Sequence, residues 1–511
     1  MALQKDLVLG LDLSTTACKA MLWDARGLPH GEGRKELDIL QPIPGQFEQS
    51  AEEWWNATVL AIRQAIRSVN AGRVAAISIS HQRETFVLLD STGCPLRPAI
   101  LWMDERSRPI HDEVVSALND PNYQERTGKP LTPNLIIGKL EWLRRQEPGN
   151  LKKTAHLLDT GAYLNYRLTG KFATSTASAD PTGLLDIPGR QWDPHCLSWL
   201  GLSPDQFPEL YEPGQVIGTL TREAAQETGL PAGLPVVAGL GDGQANTLGS
   251  GVSSSSLASL SLGTSIITGL VSTAYKVSPA FRTMIGGMPG SYVLEMVLLA
   301  GGFTIQWFTR DLLRDQESLD ELEKKASSLP PGAEGVVMIP YLNSAMNPYW
   351  DSHASGVFFG LRGFHKPEHL FRAILEGLGF ELRLQLQHAE METHLPVKQI
   401  IASGGGTHSR LWRQILANIL NRPIAISSNT EAASLGAGIL AAIGSGWFPS
   451  YTDAVNAMAP LPSRWIEPDP NSHTIYTRFF EDVYCALYPS LKETMYHLAG
   501  LSHFGDLGSI I

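Results

Sequence analysis

The sequence predicts an α/β protein made of two related halves, and three observations carry that prediction. The chain has 511 residues, which at roughly 150 per domain suggests about three ordinary domains or two large ones. Short β-branched and apolar runs read as strands, and longer amphipathic stretches between them read as helices. One pattern occurs twice: strand, small hydroxyl-bearing turn, strand, at residues 6–24 and again at residues 256–270.

In chain order, the first hairpin flanks Ser14, Thr15 and Thr16 with apolar runs. A third strand at residues 32–39 and a helix at 54–69 are expected next. Residues 74–80 form a β-branched strand running into Gln82-Arg83-Glu84, with shorter strands at 86–89 and 99–102. After the second hairpin come helices at 303–313, 368–390 and 411–420 and a strand at 399–402. Gly and Ser are dense at residues 248–256, which divides the chain into residues 1–250 and 251–511. Residues 465–498 read as a capping helix rather than a third domain.

Composition bounds the function. With 43% apolar and 18% charged residues the chain can bury large cores, which excludes a disordered or coiled-coil protein. A net charge of −11 argues against a nucleic-acid partner, which needs a basic surface. It leaves anionic small ligands open, because backbone N–H groups hold phosphate without net positive charge. The four cysteines are scattered, with no CxxC and no zinc-ligand spacing. No signal-peptide layout opens the chain and no apolar run reaches ~20 residues, so a cytoplasmic protein with no membrane partner is expected. Every Gly-Lys pair is followed by Pro, Leu or Phe, which excludes a Walker A loop.

Six segments could carry chemistry. In Asp12-Leu-Ser14-Thr15-Thr16, hydroxyls and closely spaced N–H groups can surround phosphate oxygens, and Asp12 can position a hydrated magnesium ion. Gly263-Thr264-Ser265 repeats that turn. Gly404-Gly405-Gly406, ahead of Ser409 and a helix, permits close backbone approach to a flat or charged ligand. Asp242, among glycines at a strand end, could accept a proton from a hydroxyl nucleophile, though Asp-Gly alone also makes an ordinary turn. Arg83 and Glu84 can donate to and accept from vicinal hydroxyls, or form a structural ion pair. Trp102 and Asp104 could add an apolar platform and a further acceptor, or a solvated rim.

Together these residues resemble the FGGY carbohydrate kinase family over essentially the whole chain. The most specific stretches are Gly356-Val-Phe-Phe-Gly360-Leu361 with His369-Leu-Phe-Arg-Ala373-Ile-Leu-Glu376, and Lys139-Leu-Glu-Trp142-Leu143. The resemblance implies two RNase H-like α/β domains of the actin/Hsp70/hexokinase superfamily around a central cleft. It implies ATP and Mg²⁺, with Asp12, Ser14, Thr15, Thr16, Lys19, Gly263, Thr264, Gln306, Gly404, Gly405, Gly406 and Ser409 on the nucleotide side. Asp242 becomes the catalytic base, and Arg83, Glu84, Trp102, Asp104, Asn134 and Gln244 the acceptor-binding residues. Cleft closure would exclude water.

The acceptor motifs point two ways. Gln82-Arg83-Glu84-Thr85 and Pro348-Tyr-Trp-Asp351 are similar to family members that phosphorylate glycerol. Asn134 stands where those members have Tyr, and Gly243 where they have Gln. Residues 96–102, 142–148 and 411–414 are similar to members that phosphorylate xylulose. Asn134 and Gly243 are expected to leave room beside the acceptor hydroxyl, which favours D-xylulose over glycerol, another pentulose, a polyol or gluconate. An ATP-gated chaperone on the same fold is disfavoured by the candidate polyol-binding side chains. No oligomeric state follows from the sequence, and the resemblance allows a homodimer.

Overall fold

The computed structural model describes residues 5–501. Strands β1 (Leu7–Leu13) and β2 (Ala17–Trp23) form the expected hairpin, with Asp12 opposite Lys19. The turn at residues 24–28 brings β3 (Pro29–Glu36) back antiparallel, pairing Trp23 with Pro29 and Ala17 with Glu36. That register starts the strand three residues earlier than expected. It ends at Glu36, and one last bond, from Leu37 N–H to Thr16 O, follows it. Helix α1 (Ala51–Ala65) begins after Ser50, three residues ahead of the expected start, with Glu52 and Glu53 favouring its N-terminus.

Strand β4 (Val74–His81) is buried at all eight positions, as a central parallel strand should be. β5 (Val216–Thr219) and β6 (Pro235–Gly241) complete a sheet of order β5-β6-β4-β1-β2-β3. The second sheet contains β7 (Leu257–Leu262), β8 (Ile266–Ser272), β9 (Arg282–Ile285), β10 (Tyr292–Leu298), β11 (Gln399–Ser403) and β12 (Ile424–Ile426). Its order is β9-β10-β8-β7-β11-β12. Both sheets share one plan: three antiparallel strands, then two strands parallel to the first of them. Each adds one antiparallel edge strand, β5 in the first half and β9 in the second. The repeated hairpin of the sequence is therefore the start of a repeated RNase H-like sheet.

Two helices join the halves. α2 (Asp242–Gly249) follows β6 and contacts the second sheet, where Thr247 and Ser259 hydroxyls lie 3.0 Å apart. Two more helices of the second half, α3 (Pro367–Thr393) and α4 (Arg410–Leu420), pack on its core. The next helix, α5 (Ala432–Gly444), lies against α2 and the first sheet. The approach depends on missing side chains. A Cβ at Gly436 would sit 2.2 Å from Ala245 O, and one at Gly10 2.1 Å from Ser434 O. The edge strand β9 is also docked on the first half: Thr283 N–H donates to Gly128 O at 2.8 Å, Lys129 Nζ donates to Thr283 O at 3.2 Å, and Ile285 N–H donates to Asp180.

Two further elements differ from expectation. The strand at 99–102 shortens to Ala99–Ile100. The helix at 303–313 is regular only over Gly302–Gln306 and winds wider over Trp307–Leu312, where the Thr309 hydroxyl donates back to Ile305 O. The C-terminal segment is a helix pair, Pro470–Phe479 and Cys485–Leu501, whose Tyr476, Tyr484 and Tyr488 enter the core of the second half.

Candidate active site

Strand register gathers the candidate residues. Asp12, Ser80 and Leu240 lie in one row across β1, β4 and β6, and Leu13, His81 and Gly241 in the next. The Ser14 turn, Arg83-Glu84 and Asp242 therefore leave the same edge of the first sheet. In the second sheet Ser261 pairs with Ser403, so the Gly263 turn and the three glycines after β11 also share an edge. These are the carboxyl ends of parallel strands, where open α/β sheets place ligands.

Asp242 opens α2 on the cleft floor, with 42% of its side-chain surface exposed. Its Oδ1 accepts from its neighbour's N–H, Gly243, at 2.7 Å and lies 3.0 Å from Arg83 Nε. Crowding by protein raises its pKa, Arg83 opposes that, and Glu84 and Glu295 reinforce it. Asp12 Oδ1 accepts from the Ser80 hydroxyl at 2.9 Å. Burial pushes the Asp12 carboxyl up to about 7, and the charge of Asp242 pushes the same way, while Ser80 and Lys19 oppose it. A lone crowded carboxylate of this kind suits a hydrated divalent cation shared with phosphate oxygens.

Arg83 and Glu84 are nearly enclosed and face the second half. Arg83 Nη1 donates to Glu295 Oε2 at 2.7 Å, Arg282 Nη1 donates to Glu84 Oε1 at 3.1 Å, and Arg282 also pairs with Glu295. Glu84 has φ +51°, an uncommon left-handed conformation for a residue with a side chain. Its carbonyl accepts from buried Lys139 Nζ at 3.4 Å, which also donates to Leu101 O at 2.7 Å and Trp102 O at 3.1 Å. Trp102 is 36% exposed and donates from Nε1 to Thr15 Oγ1 at 2.9 Å. The segment at Trp102 and the Ser14 turn thus touch.

Other expected site residues are held elsewhere. The Asp104 carboxylate is fully enclosed, accepting from Phe47 N–H at 2.6 Å and from the Arg106 backbone and guanidinium at 2.7–3.0 Å. It has no surface to offer a ligand, which corrects its expected place as a substrate acceptor. Lys19 pairs with Glu431 Oε2 at 2.7 Å rather than standing free for phosphate. Ser14 Oγ closes its own turn on Ala17 O at 3.0 Å, and Ser409 Oγ caps α4 through Trp412 N–H. Buried Gln244 donates to Ala177 O at 2.9 Å. Thr16, Thr264, Gln306, Gly404 and Gly405 are exposed, while Asn134 and Gly406 are half-buried. The Gly263 and Thr264 carbonyls accept from Gly302 and Phe303 N–H.

The expected room beside Gly243 is corrected as well. A Cβ there would lie 2.7 Å from Glu295 Oε2 and 2.9 Å from Arg83 Cζ, so the space is already filled by Arg83 and its partner from the second half. Arg282, Glu295, Glu431 and Lys139 are site neighbours that sequence reasoning did not assign. Lys139 had a signal, its place in a family motif. The others lie hundreds of residues from the motifs they touch, and only the fold brings them in.

Two sheets of one plan, with hydroxyl and glycine turns on facing edges and a carboxylate on the cleft floor, define a two-domain sugar kinase of the actin/hexokinase-like ATPase fold. The N-terminal domain of the FGGY family of carbohydrate kinases matches residues 7–249 and its C-terminal domain residues 258–445. The chain belongs to that family, and it is a phosphotransferase that uses ATP and acts on an alcohol group of a sugar. It is 30% identical over 492 residues to a xylulose kinase of Bacillus subtilis (strain 168), covering 95% of this chain and 97% of that protein. It is 31% identical over 477 residues to a glycerol kinase of Alkalilimnicola ehrlichii, covering 90% and 94%. The crystal structure of a xyloylose kinase from Brucella ovis superposes with a TM-score of 0.89 at 30% identity, covering 96% of this chain and all of that one. Among the described residues no helix is long and apolar enough to cross a membrane.

Proposed function

We propose that the chain is a cytoplasmic kinase transferring the γ-phosphoryl group of ATP to D-xylulose, giving D-xylulose 5-phosphate. The observation that carries the chemistry is Asp242. Both of its observed contacts, the Gly243 N–H that donates to it and the ion pair with Arg83 Nε, fall on Oδ1. Oδ2 is left to take the proton of a sugar hydroxyl as that hydroxyl attacks phosphorus. Similarity to xylulose kinases over nearly the whole chain supports the sugar.

In this reading the turn at Ser14, Thr15 and Thr16 and the turn at Gly263 and Thr264 hold the phosphates from opposite halves. Gly404, Gly405 and Gly406 receive the adenosine, with Gln306 nearby. Arg83 and Glu84 bind acceptor hydroxyls, and Trp102 and Asn134 line that side. Asp12 would hold Mg²⁺, which would supply charge neutralisation at the phosphates. The protein supplies positioning and exclusion of water, which is most of what phosphoryl transfer asks of it.

A second reading, glycerol as acceptor, is favoured by the Gln82-Arg83-Glu84-Thr85 motif and by the glycerol kinase relative. ADP release measured over xylulose, ribulose, glycerol and gluconate separates the two. The highest kcat/KM is expected on xylulose, and a higher value on glycerol than on any pentulose overturns the xylulose reading.

A further inference from the structure

Between the first half's acceptor motif and the second half's edge strands lies a closed ring of four buried charges. Arg83 reaches Glu295, Glu295 reaches Arg282, Arg282 reaches Glu84, and Glu84 is the chain neighbour of Arg83. Side-chain exposure in the ring is 1% to 9%. Arg282 and Glu295 face each other across β9 and β10, so the second sheet presents a pre-paired cation and anion. Gly243 makes this possible, since any side chain there would enter the contact between Arg83 and Glu295.

The geometry points to Arg282 and Glu295 as positioning residues, through which the second half sets the orientation of Arg83 and Glu84. This rests on the proposed roles of Arg83 and Glu84. Arg83 has two carboxylate partners at opposite ends of one guanidinium, Asp242 at Nε and Glu295 at Nη1. The planar fork fixes both at once. Without Glu295 the cation would be shared with Asp242 alone. Glu84 is held in its left-handed conformation from both sides, by Lys139 on its carbonyl and by Arg282 on its carboxylate.

The test is Glu295→Gln, assayed on whichever acceptor of the panel the wild type uses best. A rise of on the order of tenfold in the acceptor KM is expected, with the ATP KM within about threefold of wild type. Arg282→Lys keeps a cation but loses the fork that spans Glu84 and Glu295, and should likewise raise the acceptor KM alone. It serves if Glu295→Gln does not fold. A folded variant with unchanged acceptor KM overturns the inference, as does an equal rise in both KM values, the mark of a merely structural role. Failure of the wild type on xylulose would overturn the proposed substrate alone, since the ring is read as a ratio to wild type.

Discussion

Arg83 Nε lies 3.0 Å from Asp242 Oδ1, so a guanidinium and a carboxylate meet on the floor of the cleft between the two halves. The contact holds the carboxylate in one orientation while solvent still reaches it. Burial, Glu84 and Glu295 raise the proton affinity of Asp242 against the pull of Arg83. An anion kept more basic than usual, yet still oriented, is what a proton acceptor for an alcohol requires.

Replacing Asp242 by Asn keeps the shape and removes the base. Because general-base catalysis contributes on the order of 10²–10⁴ in rate, kcat should fall by about that factor while both substrates still bind. Steady-state kinetics beside a thermal melt check this. A folded Asp242→Asn retaining more than about a tenth of wild-type kcat would show that the proton goes elsewhere.

The glycines after β11 are not equivalent, and substitution should separate them. Gly404 has φ +89° and a Cβ there would lie 2.8 Å from Leu262 O, so Gly404→Ala should strain the backbone and lower stability by about 1–3 kcal/mol. Gly405 has no atom within 4 Å of a Cβ position. Gly405→Ala should therefore fold normally, yet raise the ATP KM with the acceptor KM unchanged, if this loop receives the adenosine. Equal KM values for ATP in Gly405→Ala and wild type would remove the loop from the nucleotide site.

What was legible in the sequence followed local pattern. The two hairpins, the buried strand before Arg83 and the glycine run after β11 each have a signature within a few residues. Trp102 at the cleft and Asp104 inside the protein are two residues apart, and nothing local distinguishes them. Only the fold brings Arg106 and Phe47 to Asp104. The ring partners Arg282 and Glu295 were equally silent, because each is a single charge in a short apolar strand and its partner lies about two hundred residues away. Gly243 shows the same limit: its small size was legible, but what fills the space beside it was not.

The α2–α5 contact carries a prediction of its own. Gly436 meets Ala245 O, and α2 begins with Asp242. Gly436→Val would drive a branched side chain into the backbone of α2, costing about 1–3 kcal/mol or more as overpacking. It should also lower kcat, because the helix that carries Asp242 must shift. Urea unfolding and kcat measured on one preparation test the link. Full stability with full activity would mean that the helices part without consequence.

Stability should also depend on pH through a group far from the cleft. Glu381, on α3 and 1% exposed, accepts at Oε2 from the hydroxyls of Tyr341 at 2.8 Å and Tyr484 at 2.7 Å. Burial pushes its carboxyl from 4.5 to about 7, with the two hydroxyls pulling the other way. The folded state thus holds a proton that the unfolded chain releases at lower pH. The contribution is fully present below pH 4.5 and is lost as pH rises through about 7. At about 1.4 kcal/mol per unit this amounts to at most about 3.5 kcal/mol by pH 8. Glu381→Gln cannot ionise, and its amide oxygen can still accept from both tyrosines. Relative to wild type, the variant should therefore gain stability between pH 5 and pH 8, read as a converging or crossing pair of urea midpoints. Midpoints that run parallel over that range would show that Glu381 does not change its protonation there.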